Sequence, residues 1–328
     1  MSKLTLSIAM GDYDRTKALQ DGRALIDGVD PVFMLLEPEE IFFRAFRGGE
    51  FDVSELSLSS YTLKVSQGDC PFVGIPIFMS RAFRHTAIYV RRDRIKTAAD
   101  LKGKRVGLPE YQLSANVWAR ALLKQDFGIE PRDITWVRGG IEHPGRLEKL
   151  KVQLDADVKI SDAPETDTLS AMLDRGDIDA FIGPRAPSCF GRNPNVEWLY
   201  PDPTAAAHDY FRRTRVFPIM HLLGVRKELV ARHPWLPVAL FKAFDAAKTE
   251  AIRLLGDPAA PKTSLPFLEE QIKAARQLMG DDYWPNGVTP NLPTLEAFLQ
   301  HHHEQGLSRR KVSVQELFAP TTYELAKI

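Results

Sequence analysis

Residues 100–106, DLKGKRV, follow a strand predicted over residues 86–91 and lead into an apolar strand that begins at Val106. A short polar turn that contains glycine, placed between two apolar segments, is typical of the start of a new structural unit. From Val106 onward, strand and helix patterns alternate again, as they do before residue 80. We therefore expect two series of strands and helices that meet at this stretch.

Positive charge is concentrated immediately before this junction. Residues 80–85 read SRAFRH, and twelve residues carry four arginines and one histidine, namely Arg81, Arg84, Arg91, Arg92 and His85. The whole chain has 43 basic and 43 acidic residues, so its formal net charge is zero. A local excess of this kind indicates either a solvated face or a site for an anion.

The bulk composition excludes several classes of protein. A length of 328 residues exceeds what one core usually supports, so two domains or lobes are expected. The charge balance argues against binding to nucleic acid or a membrane surface, and no apolar run reaches the roughly 20 residues of a spanning helix. The strand-like N-terminal alternation over residues 4–10 is unlike a secretory signal, and two cysteines make no disulfide framework. We expect a cytoplasmic protein.

The order of predicted elements indicates an α/β fold. Apolar strands of the first series are predicted over residues 4–10, 32–36, 52–56 and 72–78. They alternate with helical segments, as in a mostly parallel sheet flanked by helices. We expect two such lobes with a cleft between them. Residues 1–85 and 226–328 would form a discontinuous first lobe with the C-terminal helices, and residues 86–225 the second lobe.

Loops after the predicted strands are the expected ligand-binding segments, because ligands of open α/β sheets bind beyond the carboxyl ends of the strands. In a two-lobed chain, both sets of strand ends face one cleft. The segments concerned are residues 11–15, 57–60, 80–85, 109–116, 138–143, 183–187 and 217–221.

Motifs along nearly the whole chain carry a family resemblance. In chain order they are GIPIF (74–78), SRAFRH (80–85), PEYQ (109–112), ANVW (115–118), WVRGG (136–140), FPIMH (217–221), HPW (233–235), YWPNG (283–287), EQGL (304–307) and ELFAP (316–320). Together they resemble the 4,5-dihydroxyphthalate decarboxylase family. Residues 100–106 are similar to the segment that leads into the second lobe of type II periplasmic-binding-protein-like folds, so the resemblance implies that fold.

The chain departs from the family pattern at two places. Asn286 stands where an aromatic residue is expected, and Arg215-Val216 stand where Gly-Ile is expected. If these side chains line the cleft, they alter the choice of substrate.

The resemblance implies the non-oxidative loss of one carboxylate from a small hydroxylated aromatic dicarboxylate. The expected reaction converts 4,5-dihydroxyphthalate to protocatechuate and CO2 in phthalate-type aromatic catabolism, with no organic cofactor. This chemistry needs a proton donor near the ring carbon, a base or hydrogen bond at the phenol, and cations for the carboxylates. Arginine suits a carboxylate by its planar fork, and histidine suits proton transfer because its ordinary pKa is about 6.5.

His85 and His221 are the predicted proton-transfer residues. Each opens a strand expected to cross between the lobes, and if those strands pair, the imidazoles lie close together at the cleft floor. The alternative is two buried, hydrogen-bonded histidines. Glu110 ends the first strand of the second lobe and is the candidate base for the phenol, or it caps the helix that follows.

Arginines in the strand-end loops are the predicted carboxylate ligands. We expect Arg81 or Arg84 to bind a carboxylate. The alternative is a solvated basic loop whose arginines form salt bridges between the lobes. Arg138 and Arg185 each follow a buried strand of the second lobe, and they are further candidates for carboxylate binding. The alternative for each is a role on the surface.

Uncharged side chains complete the predicted site. Tyr111 and Asn116 lie at the start of a predicted helix whose first N–H groups are free to face an anion. Ser57 and Ser59 donate hydrogen bonds from the first lobe, or they cap the helix that follows them.

Metal binding is not favoured by the histidine pattern. The run His301-His302-His303-Glu304 lacks H-E-x-x-H spacing, and consecutive residues of a helix point in different directions. His302 shares an apolar helix face and is expected to pack. A divalent cation held by His85, His221 and Glu110 is a separate alternative, because these residue types bind such ions.

A solute-binding protein is the alternative function, one that captures a small aromatic or other organic anion by lobe closure without catalysis. The N-terminal pattern and the histidine pair count against it. A relative of pyrimidine-synthesis enzymes on the same fold is disfavoured because the chain has no cysteine-rich segment. We expect no nucleic-acid or membrane partner, and we expect a homo-oligomer.

Overall fold

The structure is a computed structural model that describes residues 3–325. Its strands are β1 (Leu4–Met10), β2 (Val29–Leu35), β3 (Val53–Ser57), β4 (Phe72–Arg81), β5 (Ile88–Arg91), β6 (Arg105–Leu108), β7 (Thr135–Arg138), β8 (Lys159–Asp162), β9 (Ala180–Ile182), β10 (Val196–Trp198) and β11 (Ile219–Arg226). They form two sheets, one in each lobe, so the predicted α/β class is confirmed.

Helices cover both sheets. They are α1 (Lys17–Gln20), α2 (Pro38–Phe43), α3 (Leu58–Gln67), α4 (Ser114–Phe127), α5 (Leu169–Arg175), α6 (Pro203–Thr214), α7 (Lys227–Arg232), α8 (Leu236–Leu255), α9 (Leu268–Met279), α10 (Leu292–Glu304) and α11 (Val314–Leu317). In the part of the chain that the structure describes, none of them is both long enough and apolar enough to cross a membrane.

The first sheet has the strand order β2-β1-β3-β11-β4. Strand β1 pairs in parallel with β2 and β3, whereas β11 runs antiparallel to both β3 and β4. Alternation along β1 places Leu6, Ile8 and Met10 in the core that Leu240 and Phe244 of α8 complete. This alternating pattern is what makes the segment a strand with one face on α8.

The second sheet has the order β10-β5-β9-β6-β7-β8. Strands β9, β6, β7 and β8 pair in parallel. At the other edge, β5 pairs antiparallel with β9, and β10 pairs antiparallel with β5. Both sheets are therefore mixed rather than mostly parallel, because each contains antiparallel pairs beside the parallel ones.

The expected lobe boundary at residues 225 and 226 needs correction. Strand β11 falls inside the predicted second lobe, yet its hydrogen-bonding partners are β3 and β4 of the first sheet. The first sheet therefore takes up the chain again at Ile219. This shift places His221 in the first sheet, directly opposite Ser57 at the carboxyl end of β3.

Candidate active site

A cavity of about 160 Å³ lies in the cleft between the two lobes. It receives residues from the ends of β3 and β11, from the first turn of α4 and from loops of both lobes. Its lining is Pro38, Glu39, Phe42, Ser57, Arg84, Leu113, Ser114, Ala115, Lys149, Pro184, Arg185, Met220 and His221. The expected position of the site, beyond the strand ends, matches this cavity.

His221 is held in the cavity wall by a buried carboxylate. Its Nδ1 lies 2.6 Å from Oε1 of Glu55, whose side chain is fully buried. The two residues meet because β3 and β11 are paired antiparallel, with Leu223 opposite Glu55 and His221 two positions along the same face. Since Nδ1 contacts Glu55, Nε2 is the ring nitrogen left for a ligand.

Glu55 is the acceptor of a small hydrogen-bond network. Oε1 also accepts the Tyr13 hydroxyl at 2.7 Å, and Oε2 accepts the Gly11 backbone N–H at 2.8 Å. Burial alone would raise the pKa of the Glu55 carboxyl, but the contacts with His221, Gly11 and Tyr13 hold that pKa below its ordinary value. The Glu55 carboxylate is therefore a fixed hydrogen-bond partner for Nδ1 of His221.

Arg84 is a cation of the cavity wall without an acidic partner. Its Nε lies 3.1 Å from Sδ of Met220, and among the described residues no carboxylate lies within ion-pairing distance of its guanidinium. Burial lowers the pKa of Arg84 to about 10, so the side chain stays charged at neutral pH. A half-buried cation that no protein carboxylate pairs favours a ligand carboxylate at this position.

The first turn of α4 offers a second position for a carboxylate. Ser114 and Ala115 line the cavity at the start of this 14-residue helix. The Ser114 hydroxyl lies 3.0 Å from that of Ser57 and accepts the Ser59 N–H at 3.0 Å, which joins the two lobes. Free N–H groups and the helix dipole both favour an anion at such a turn.

Glu110 lies behind the cavity and is surrounded by cations. Its Oε1 accepts hydrogen bonds from Nζ of Lys149 at 2.8 Å and from Nη2 of Arg146 at 2.7 Å. Burial would raise the pKa of Glu110, but Lys149 and Arg146 hold it below the ordinary value. Glu110 is absent from the cavity lining, so the structure places it as a counter-ion rather than as the expected base for the phenol.

Lys149 is a cation of the cavity lining that sequence reasoning missed. Its side chain is almost fully buried between Glu110 and the cavity. It lies in an irregular loop, which gives no reason to single out one lysine. Its spacing from Glu110 in the sequence carries no recognisable motif, so contact between the two depended on the tertiary fold.

The two second-lobe arginines have different positions. Arg185 lines the cavity at its exposed rim, where Nη2 lies 2.7 Å from Oε2 of Glu37 in the other lobe. Arg138 lies outside the lining and forms ion pairs with Glu148 at 2.7 Å and Asp162 at 2.6 Å. Both acidic partners belong to its own lobe, so the expectation that Arg138 faces the cleft is wrong.

Three of the predicted uncharged residues support the site from behind. The Tyr111 ring stacks under the Arg120 guanidinium at 3.7 Å. Asn116 donates from Nδ2 to the Glu110 carbonyl at 2.8 Å, and the Ser59 hydroxyl lies 3.1 Å from Nε2 of His302. These side chains are buried outside the cavity lining, whereas Ser57 lines it as expected.

Arg81 faces away from the cleft, although it is only three residues from Arg84. It donates to the Pro285 and Phe217 carbonyls at 3.1 Å and to Oδ1 of Asn291 at 2.6 Å. It lines a second cavity, together with Arg215 and Asn286. The two departures from the family pattern therefore lie outside the cleft, and the expectation that they act on the substrate there is not supported.

The structure does not bring His85 and His221 together. The His85 ring is buried against Tyr200 at 4.8 Å and Tyr210 at 5.6 Å, and neither of its nitrogens has a hydrogen-bond partner. Burial lowers its pKa to about 4. The expectation of adjacent imidazoles fails because β5, which follows His85, belongs to the second sheet and does not pair with β11.

The alternative metal site is not assembled either. His85, His221 and Glu110 lie in three different surroundings, and residues 3–325 contain no group of three or more His, Cys, Asp or Glu side chains arranged to hold a metal ion. His302 is fully buried, with Nδ1 3.1 Å from the Ser308 hydroxyl, so the prediction that it packs is confirmed.

Comparison with curated proteins finds relatives of high sequence identity. No family model matches the chain. It is 53% identical over 330 residues to a 4,5-dihydroxyphthalate decarboxylase from Comamonas testosteroni, with 100% of both chains covered. It is 60% identical over 214 residues to a protein of the same name from Pseudomonas putida, which covers 65% of this chain and 83% of that relative.

Solved structures support the fold. The alkanesulfonate-binding protein SsuA from Xanthomonas axonopodis pv. citri, bound to MOPS, matches with a TM-score of 0.53 and 12% identity over 97% of this chain and 99% of that chain. The desulfurization enzyme DSZB matches with a TM-score of 0.52 and 18% identity over 97% of each chain. The chain therefore has a periplasmic-binding-protein-like fold, as predicted, and the same fold occurs in a binding protein and an enzyme.

Proposed function

This chain belongs to the 4,5-dihydroxyphthalate decarboxylase family, and we propose that it removes one carboxylate from 4,5-dihydroxyphthalate in the cleft between its lobes. The products are protocatechuate and CO2, so the protein is a carboxy-lyase. The observation that supports this most strongly is the buried Glu55–His221 pair on a cavity that also carries the unpaired cation Arg84.

His221 supplies the proton. With Nδ1 bound to Glu55, a protonated imidazole presents its Nε2–H to the ring carbon that carries the leaving carboxylate. The new C–H bond forms there, and the electron pair of the C–C bond returns to the ring as CO2 leaves. The hydroxyl para to that carbon supplies electron density for protonation. Each turnover consumes one proton, which His221 recovers from solvent.

Glu55 and Tyr13 keep His221 ready for this step. The Glu55 carboxylate fixes the ring through Nδ1, so that Nε2 faces the cavity. The Phe42 ring contacts the imidazole edge-on, with centroids 4.7 Å apart, and limits its rotation. The arrangement gives a general acid with a defined orientation.

Two separate elements hold the carboxylates. Arg84 binds the retained carboxylate, because it is charged and has no protein counter-ion in the described structure. The first turn of α4 and the Ser57–Ser114 pair receive the second carboxylate in the ground state. An anion that contacts both elements also bridges the lobes, so substrate binding favours the closed cleft.

A solute-binding role without chemistry is less well supported. Capture of an anion needs Arg84 and the helix start, but it does not need a histidine whose second nitrogen is fixed by a buried carboxylate. The curated relatives of high identity carry the name of an enzyme. Binding of substrate with no release of CO2 would favour that alternative.

Cellular location and assembly form a further part of the proposal: the protein acts in the cytoplasm as a homo-oligomer. Cys70 and Cys189 are buried free thiols, as is usual in a reducing compartment. Leu265 and Phe267 are large apolar side chains exposed near the start of α9, and a second copy would cover them. Cell fractionation and light scattering of the purified protein test these two points, and a secreted monomer would contradict them.

The reaction is tested with purified protein and 4,5-dihydroxyphthalate under anaerobic conditions without any added organic cofactor. We expect equal amounts of CO2 and protocatechuate. In D2O the protocatechuate should carry one deuterium at the carbon that lost the carboxylate. No turnover of this compound or of any other hydroxylated aromatic acid would overturn the proposed function.

A further inference from the structure

A second cavity of about 540 Å³ lies outside the cleft and shares no lining residue with it. It is bounded by the end of β4, the end of α6, the segment before β11, and helices α8 and α10. Its walls are aromatic on one side, with Phe211, Phe217 and Phe241, and carry Arg81 and Arg215. The reaction proposed for the cleft uses none of these side chains.

Arg81 is a buried cation in this wall that forms no ion pair, although the Asp282 carboxylate in the same lining acts on its charge from a distance. Only 6% of the residue is exposed, and its three hydrogen-bond acceptors are two backbone carbonyls and the Asn291 amide. Its Nε has no partner. No carboxylate in residues 3–325 lies within ion-pairing distance of it. Buried charges are normally paired, so the missing partner points to an anionic ligand.

Arg215 adds a second unpaired cation at the rim of the same cavity. It ends α6 in the left-handed conformation, with φ of 57°, where glycine is favoured. The guanidinium lies 5.7 Å from the centre of the Phe211 ring, and no acidic side chain of the described chain pairs with it. The chain therefore places a long cation at a backbone position that disfavours any side chain.

The charges around the cavity favour a ligand with one carboxylate. Asp245 and Asp282 also line it, and Lys248 contacts them at 3.3 and 3.2 Å. Two aspartates share this one lysine, so one negative charge is left uncompensated, and it disfavours a second carboxylate on the ligand. Phe211 and Phe241 offer apolar surfaces to an aromatic ring, whereas the Phe217 ring is already stacked on Phe83 at 4.9 Å and lies 4.7 Å from the Arg81 guanidinium.

We propose that this second cavity binds an aromatic monocarboxylate, with the carboxylate facing Arg81 and Arg215 and the ring against Phe211 and Phe241. Protocatechuate, the product of the proposed reaction, is a ligand of this chemistry. The identification of protocatechuate as the natural ligand rests on the proposed function, whereas the class of ligand does not.

A short backbone path joins the two cavities. Arg81 donates to the carbonyl of Phe217, which precedes β11, and four residues later β11 carries His221. Arg84 contacts Met220 in the cleft, next to His221.

Calorimetric titration with protocatechuate, and separately with benzoate, tests the proposal directly. The wild-type protein should bind two molecules of protocatechuate per chain, one in the cleft and one in the second cavity. Arg215→Gly should weaken the second site about tenfold or more, because a charged hydrogen-bond donor is lost. Glycine suits the left-handed backbone at this position, so the variant is expected to fold. Arg215→Lys keeps the charge and should retain most of the affinity.

Matched variants separate this site from the cleft. Arg212→Ala removes an exposed cation from the same helix and should leave both sites unchanged. Arg84→Ala should weaken the cleft site and leave the Arg215-dependent site intact. Benzoate binding that depends on Arg215 would stand even if the chain had no decarboxylase activity. Equal titrations for wild type and Arg215→Gly, or a single wild-type site that Arg84→Ala removes, would overturn the proposal.

Discussion

Nδ1 of His221 lies 2.6 Å from Oε1 of a fully buried Glu55, and this pair is the only contact that joins the imidazole to a carboxylate within residues 3–325. The geometry leaves one ring nitrogen facing the cleft and assigns the other to a fixed acceptor. It explains how one histidine can act as a proton donor in a cavity where the expected second histidine is absent.

Glu55→Gln should lower kcat by about 10²-fold or more, because the amide no longer holds and orients the imidazole as the carboxylate does, while KM changes little. The split between kcat and KM carries the signal, because a residue that only maintains the fold would change both. Steady-state kinetics check this, with Tyr13→Phe as the milder companion. A kcat for Glu55→Gln within twofold of the wild-type value would show that Glu55 does not act through His221.

Arg84→Ala should raise KM by roughly 10- to 100-fold through the loss of a charge-assisted contact with the carboxylate. Arg84→Lys should recover part of this effect, since the charge remains and the planar fork does not. Arg185→Ala is the matched control, because that arginine lies at the exposed rim and is paired with Glu37. A KM for Arg84→Ala within twofold of the wild-type value would exclude carboxylate binding at this position.

Replacing the counter-ion Glu110 should lower the free energy of unfolding of the protein. Glu110→Gln leaves Lys149 buried without its carboxylate, which costs about 3–5 kcal/mol when a buried pair is broken from one side. Lys149→Met with Glu110→Gln should recover much of the loss, because neither charge is then left unpaired. Urea unfolding of the wild type and of these two variants measures this. A single variant as stable as the wild type would contradict the assignment.

Stability should fall as pH drops from about 6.5 toward 4, in part because of His85. Its pKa is lowered by burial to about 4, so in this window the unfolded chain binds a proton that the folded chain does not. The free energy of unfolding therefore rises with pH through the window, and His85 contributes about 2 kcal/mol of the difference between pH 7 and 5. His302, with a pKa lowered to about 3, has the same sign.

His85→Phe should reduce this pH dependence, because phenylalanine fills the same aromatic surroundings without a titratable group. Thermal unfolding at pH 5 and pH 7 gives the comparison, and His208→Gln is the control on a neighbouring helix. An equal loss of stability between the two pH values in wild type and His85→Phe would show that His85 does not titrate in this way.

The sequence was sufficient for elements whose burial follows a regular period. The strand over residues 4–10 is predictable because Leu4, Leu6, Ile8 and Met10 recur with sheet spacing. Strand β8 was missed because all four of its residues are exposed, so it has no apolar pattern. Helix α6 was missed because Pro201 and Pro203 resemble a loop, although Pro203 begins the helix and Asp202 caps it with a 2.9 Å hydrogen bond.

The site was predictable only in part. His221 and Arg84 follow from residue type and position near strand ends, and the structure places both on the cavity. Glu55 lies within a buried strand and gives no local sign of its contact with a residue 166 positions away. The choice between Arg81 and Arg84 depends on the direction in which each side chain points at and just after the end of β4. Tertiary packing decides that direction.

The central claim is that His221 protonates the ring carbon, and His221→Gln tests it most directly. With saturating 4,5-dihydroxyphthalate, we expect kcat to fall by about 10²- to 10⁴-fold while the dissociation constant for substrate stays within a few-fold of the wild-type value. A His221→Gln enzyme that retains kcat within tenfold of wild type would contradict the account.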